Sequence, residues 1–410
     1  MTRSMAAMRA SAPAAPGRSL PFIVASVMML VTLAIDVVLP ALPDIGEALA
    51  VTRDNDRQYV ISSFMFGFAI SQAGVGIVSD ALGRRGLLLG AVGGYAAFSL
   101  AAAAAQDLTV MLIVRFLQGA AGGMTRVLIN AAVRDLYSGA QMARVMSMAT
   151  TAFIIAPILG PALGTLILAV ASWRWIFIAF AGFGILSFLI ICFRLPETLP
   201  PAMRRKLSAK SLVEGVKHVL QDRQSTWFTT AMSFRFAGQF AFFLSLQQIF
   251  EQVWKHEDLL APVFGFVAAV IAIGSMVNAR LVTRVGLMRM SRITTLLLTT
   301  ICAAQLAWVA LGSFGLIGFI AFQAAISALT SICNTCFQAL AMENMGRQAA
   351  TASSIQGSGS MLAGTLLASW AGQAFDGTLL PYAIAITLFA IGGLFCTFMA
   401  TQRESGRASR

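Results

Sequence analysis

Leu20–Ile45, LPFIVASVMMLVTLAIDVVLPALPDI, is the first long apolar run of the chain, and it holds a carboxylate, Asp36, ahead of Pro40 and Pro43. About 20 apolar residues suffice to cross a bilayer as a helix. The two prolines end such a helix. A charged carboxylate in hydrocarbon costs about 2.5–3.5 kcal/mol on insertion scales, so one placed there is by default functional. Every other acidic residue falls at or beyond the end of an apolar run. The competing reading is that Asp36 sits near the outer end of its helix and reaches water.

Composition extends this reading to the whole chain. Of 410 residues, 58% are hydrophobic and only 11% charged, with a mean hydropathy of +0.79. Soluble domains carry about 25% charged residues. The fold class is therefore an all-α polytopic membrane protein. The net charge of +12 is spread over many short connections, with no contiguous stripe and no nucleic-acid module. Cys192, Cys302, Cys333, Cys336 and Cys396 all lie in apolar runs, which implies no disulfide framework. Cys333 and Cys336 read as small apolar fillers. The two histidines, His218 and His256, lie outside the runs. No nucleophile motif or metal-ligand set is present, so neither an enzyme nor a metal or cofactor is expected. A pore is disfavoured because no filter-like loop or acidic ring is seen.

Twelve spans are expected, at roughly 20–41, 58–79, 87–105, 110–131, 145–169, 173–193, 226–250, 262–283, 290–311, 314–340, 351–374 and 379–400. They divide into a six-helix half (20–193) and a second six-helix half (226–400). A polar connection (194–225) joins them, between tails at 1–19 and 401–410. Six plus six is the repeat layout of many secondary transporters. Of 29 basic residues, 22 fall on the side of the tails and 4 on the other; Arg115, Arg126 and Arg235 lie inside spans. The positive-inside rule then places both termini in the cytoplasm. LSAKSLVEGVKHVL (207–220) has apolar residues at helical spacing with basic residues between them, as expected of an amphipathic helix on the membrane surface.

The connection after span two reads GIVSDALGRRG (76–86): Gly76, Asp80, Gly83, Arg84, Arg85. A short hairpin of this kind needs glycine for its backbone and a charge cluster to hold the helix ends. Span four carries RFLQGAAGGMTR (115–126), followed by Asn130, Arg134 and Asp135. Arg115 and Arg126 are eleven residues apart, so both project from one helix face with Gly119 and Gly122 between them. Such a face lines a cavity rather than lipid. Arg115 and Asp36 lie at equal depth, which makes a direct or water-mediated pair geometrically feasible. Span five holds Pro157, Gly160, Pro161 and Gly164. These residues are tolerated in a membrane helix where neighbours pack closely. SWRWIF (172–177) forms an aromatic anchor at the interface.

The Gly76–Gly86 loop resembles the signature loop of the major facilitator superfamily. Ala81 stands where a basic residue is usual. Together with AIDVVLPALPDI (34–45), VRFLQG (114–119), APILGPALG (156–164) and SWRWIFIAF (172–180), it resembles the bicyclomycin/chloramphenicol-resistance (Bcr/CflA) type of drug/proton antiporter. The match covers mainly residues 30–200. The second half contributes NARLVTRVG (278–286), TASS (351–354) and Gly364. The resemblance implies a major facilitator fold of twelve helices and proton-driven export of small amphipathic drugs. It also implies proton coupling through Asp36 and Arg115, and gating through Gly76, Asp80, Gly83, Arg84, Arg85, Arg134, Pro157, Gly160, Pro161 and Gly164. Some relatives that export cationic drugs carry a second carboxylate about two turns before the span-one Asp; here that region is Val27-Met28-Met29. Arg126 and Arg235 are departures too.

One interior acid against three bases favours neutral or anionic substrates over cations; among the drugs the resemblance implies, phenicols, which are neutral and amphipathic, fit best. The substrate-contacting residues expected are Asp36, Met29, Thr32, Arg115, Gly122, Arg126, Arg235 and Gln239. Phe64, Phe66, Phe242, Phe243, Met28 and Met29 are expected to provide an adaptable apolar wall. Asp36, balanced between desolvation and a neighbouring guanidinium, would take and release a proton as access alternates. The partners are then a small-molecule drug, protons and lipid, without nucleic acid. A monomer in the bacterial inner membrane is expected. The alternative is proton-coupled symport of an organic anion, with Arg126 and Arg235 as the anion clamp.

Overall fold

The computed structural model describes residues 20–204, 216–217, 219–312, 314–346 and 349–402. The tail 1–19 and most of the surface-helix segment 207–220 lie outside these residues. Long helices α1 to α6 span Leu20–Asp36, Tyr59–Leu82, Arg84–Ala103, Leu108–Leu136, Gly139–Leu168 and Arg174–Arg194. Helices α7 to α12 span Arg223–Gln248, Leu260–Val285, Leu287–Ala310, Leu316–Met342, Ala349–Gln373 and Leu380–Thr401. The described residues contain no strand, and nine stretches are long and apolar enough to cross a membrane. Isoleucines, leucines and phenylalanines such as Leu166, Phe193, Ile273, Ile317 and Phe398 stand exposed on the outside of the bundle. An apolar belt of that kind is stable only against hydrocarbon.

The expected span boundaries agree with the helix ends to within about three residues, apart from the first, fourth and fifth spans: α4 runs five residues past the expected 131 and α5 begins six residues before the expected 145. α1 stops at Asp36, five residues short of the expected 41, and a 3-10 turn follows over Leu39–Ala41. Pro40 is the physical reason. It has no N–H to give the Asp36 carbonyl four residues back, so the α ladder ends there.

α2 packs closely on α4 and α1 on α5, while α7 packs on α11 and α12. The two halves meet along α2/α11 and α5/α8. At the end carrying the 37–58 connection, a polar network ties the halves together. Asn55 Nδ2 donates to the Gln373 and Phe375 carbonyls at 3.1 and 2.8 Å. Gln248 donates to Asn55 Oδ1 at 2.9 Å, and Gln58 bonds Gln248. Ser369 reaches Ser62 at 2.9 Å, and Arg57 lies 3.6 Å from Glu251. Near the opposite end, Ser354 donates to the Gln72 carbonyl at 2.9 Å, and Gln72 approaches Met361.

Candidate substrate cavity

Between the halves lies a cavity of about 410 Å³. α1, α4 and α5 contribute Thr32, Asp36, Arg126 and Pro157. Facing them are Phe236, Phe240 and Phe243 of α7, Phe264 of α8, and a polar side of α10. Concave sites of 300–1,000 Å³ with apolar walls and a few convergent polar groups suit small organic ligands.

Asp36 is 4% exposed, and its Oδ2 is buried without a hydrogen-bond partner. The span-five motif explains how it is held. A Cβ on Gly160 would overlap Asp36 Cβ and lie 3.3 Å from its carbonyl carbon; one on Gly164 would lie 2.7 Å from Pro40 Cγ. The two glycines of α5 therefore seat the end of α1 directly on the helix. Reading Asp36 as a residue lifted to water at a helix end does not fit this burial.

Arg115 is placed elsewhere than expected. It is wholly buried, with Nε donating to the Val60 carbonyl at 3.0 Å, Nη2 to the Ala34 carbonyl at 3.0 Å and Nη1 to Gln118 Oε1 at 2.7 Å. Its guanidinium sits 4.5 Å from the Phe64 ring and 5.6 Å from that of Phe177. Gln118 is fixed in turn by donating to Ser99. The guanidinium thus ties α1, α2 and α4 through carbonyls and does not form the direct pair with Asp36. The reason is local: the Ala34 and Val60 carbonyls lie within reach, and Asp36 packs onto Gly160 and lines the cavity.

Arg115 and Arg126 do share a helix face, the one against α2. Arg126 lies 5.8 Å from the Phe68 ring and lines the cavity. Between them, Gly119 and Gly123 let α4 approach the backbone of Phe64 and Phe68, as in small-residue packing of membrane helices. Gly122 makes only ordinary contacts with Phe64, Phe68 and Val31 and is not in the cavity wall. Met29 is half-buried, Met28 belongs to the core, and neither Phe64 nor Phe66 lines the cavity. Phe242 and Phe243 do, as do Thr32 and Gln239.

Arg235 departs from expectation as well. It lies in the interior of the second half, 3% exposed, with Nη2 donating to the Phe389 and Ala390 carbonyls of α12 at 2.9 and 3.1 Å. The cavity wall therefore holds one arginine and one carboxylate.

The charged hairpin assembles as a cluster. Arg84 lies 2.7 Å from Asp80 and 2.9 Å from Asp135. Gly83 turns the chain with φ +100°, and a Cβ there would meet Glu197 at 2.7 Å. Glu197 accepts from the Arg84 backbone N–H at 2.9 Å, and Arg85 donates to the Cys192 carbonyl at 2.7 Å. Arg134 is exposed, and a Cβ on Gly76 would meet nothing within 4 Å. Sequence reasoning missed Glu197, whose signal was an acid just past the end of span six.

The model of the Major Facilitator Superfamily matches residues 24–368. An MFS-type transporter of Bacillus subtilis (strain 168), YdgK, is 27% identical over 403 residues, 95% of this chain and 97% of that protein. A bicyclomycin resistance protein homolog of Haemophilus influenzae is 26% identical over 92% of this chain and 94% of its own. The multidrug transporter MdfA of Escherichia coli O157:H7 is 29% identical over 55% of each. Among solved structures, a D-xylose-proton symporter superposes with a TM-score of 0.73 at 15% identity, covering 94% of this chain and 97% of that one. The human organic anion transporter MFSD10 does so at 0.67 and 19%, covering 94% and 99%. These structures share the fold. By the family match over most of its length, this chain belongs to the Major Facilitator Superfamily and is a membrane transporter, not an enzyme.

Proposed function

We propose that this chain exports small, neutral, amphipathic compounds of the phenicol kind across the bacterial inner membrane in exchange for protons. Twelve membrane-spanning helices with both termini cytoplasmic carry the site, and the halves rock about it. The observation that carries the reading is Asp36: a carboxyl with one unpartnered oxygen, in the wall of a largely apolar cavity between the halves. A group so placed can hold a proton or a substrate contact but is poorly served by both together, which couples the two. The relatives named for bicyclomycin resistance and multidrug transport support the export of drugs.

Neutral substrates fit a wall holding one acid and one arginine. The anion-uptake alternative counted on Arg126 and Arg235 as a clamp; with Arg235 committed to α12 carbonyls, the clamp loses half its charge. Under this orientation the 37–58 end faces outward and is the closed end. Expression in an efflux-deficient host, challenged with phenicols, fluoroquinolones, a quaternary cation and an anionic dye, tests the reading. Raised phenicol resistance that Asp36→Asn abolishes is expected. Resistance to none of them, or accumulation rather than loss of compound, would overturn it.

A further inference from the structure

The two walls of the cavity differ in kind. The first half offers Asp36 and Arg126; the second offers no charge but a polar stripe on α10. Ser327, Thr330, Ser331, Asn334 and Gln338 all line the cavity. Their spacing of 3, 1, 3 and 4 keeps them on one helix face, about 16 Å from end to end. Some of these groups are already used. Ser331 pairs with Ser275 at 2.8 Å, and Ser327 accepts from Gln323 at 3.3 Å. The carboxamides of Asn334 and Gln338 have no hydrogen bond among the described residues. Across from them, Gln239 Nε2 is buried without a partner.

Polar groups withdrawn from water are normally hydrogen-bonded, and an unpaired one such as Gln239 Nε2 is costly; Asn334 is half-buried and Gln338 exposed, so their carboxamides are open to a ligand in the cavity. Carboxamides offer both donor and acceptor and carry no charge. They complement a hydroxyl or an amide, which likewise gives and takes. Next to the stripe, Phe236, Phe240 and Phe243 supply a flat apolar wall suited to a ring.

We infer that the α10 stripe, through Asn334 and Gln338 with Gln239, is the subsite that receives the hydroxyl-bearing end of a neutral substrate, whose ring lies on the α7 phenylalanines. This rests on the drug-export reading and gives it a substrate class: a neutral aromatic carrying a terminal hydroxyl group. Specificity for the polar end then comes from the second half, and proton coupling from the first.

The test uses thiamphenicol and florfenicol, which differ by one hydroxyl replaced by fluorine. Asn334→Leu and Gln338→Leu remove the hydrogen-bonding capacity at similar volume. One lost hydrogen bond is worth roughly tenfold in affinity. Export of thiamphenicol is expected to fall about tenfold in at least one variant, while florfenicol changes less than threefold. Equal loss of both drugs, or loss of neither, overturns the inference. Should a leucine variant fail to reach the membrane, Asn334→Ala and Gln338→Ala make the same comparison. If the wild type exports neither drug, the export reading falls, and a binding measurement still decides the subsite. Purified protein in nanodiscs is melted with 4-phenyl-1,2-butanediol or butylbenzene at matched concentrations. Stronger stabilisation by the diol, lost in the leucine variants, supports the stripe. Equal stabilisation by both compounds in wild type and variants overturns it.

Discussion

Gly160→Ala tests the seat of Asp36. The added methyl would overlap Asp36 Cβ and stand 3.3 Å from its carbonyl carbon and 3.4 Å from its Cα. Carbon atoms pack best at about 3.5–4.0 Å, so α1 and α5 must separate by about an ångström at this contact. Two of the three atoms met are main chain, so no rotamer change relieves the crowding. Overpacking of this kind costs about 1–3 kcal/mol, or roughly 5- to 150-fold in the population of the arrangement that holds Asp36 in the wall. Drug export in cells and the melting midpoint of purified protein read the two consequences. Gly160→Ala is expected to lower export by that factor, and Gly160→Val to do worse. Gly182→Ala is the control: a Cβ there meets nothing within 4 Å, and alanine favours a helix by about 1 kcal/mol. Wild-type export and melting in Gly160→Ala would refute the close α1/α5 seat.

Three further outcomes are expected. Arg115→Met should destabilise the first half by several kcal/mol, because it removes three buried hydrogen bonds from a charged donor, to the Val60 and Ala34 carbonyls and to Gln118 Oε1, each worth about 1–3 kcal/mol. The melting midpoint should drop accordingly, and a full loss of transport with unchanged melting would contradict the bracing role. Arg126→Gln should improve export of a quaternary cation by up to about thirtyfold, since two unit charges ~8 Å apart repel by about 2 kcal/mol at an effective ε of 20. Phenicol export should change less, and Arg235→Gln should not alter this selectivity; a selectivity shift from Arg235 alone would be the wrong answer. Finally, Glu251→Gln and Asn55→Ala should loosen the polar closure at the 37–58 end. The measurement is labelling of a cysteine placed in the cavity by an impermeant thiol reagent added from outside, which should speed up in both variants.

The sequence was most legible where one pattern had one physical cause. Uninterrupted apolar runs and the placement of arginines located the helices, and GIVSDALGRRG with APILGPALG marked the family. Asp36 was found because a carboxylate in an apolar run has few structural uses. The partners of the interior arginines were not legible. Equal depth suggested that Arg115 meets Asp36, but a guanidinium has five donors and takes carbonyls as readily as carboxylates. Which group it takes depends on side-chain direction and on where Pro40 ends α1. Arg235 was misread for the same reason: helical spacing gives a face but not which neighbour occupies it. The α10 stripe was hidden in SALTSICNTCFQ (327–338), where hydroxyls resemble the small residues that pack membrane helices. The inter-half network escaped notice because its partners lie hundreds of residues apart, as with Asn55 and Gln373.

Proteoliposomes containing the purified protein test the coupling most directly. With the lumen made acid relative to the medium, an antiporter carries drug inward as protons leave. The wild type should concentrate a phenicol under that gradient and release it when the gradient is collapsed. Asp36→Asn should lose concentrative uptake entirely while still exchanging labelled for unlabelled drug. Uptake driven instead by an acid medium, or concentrative uptake undiminished in Asp36→Asn, would contradict proton antiport through Asp36.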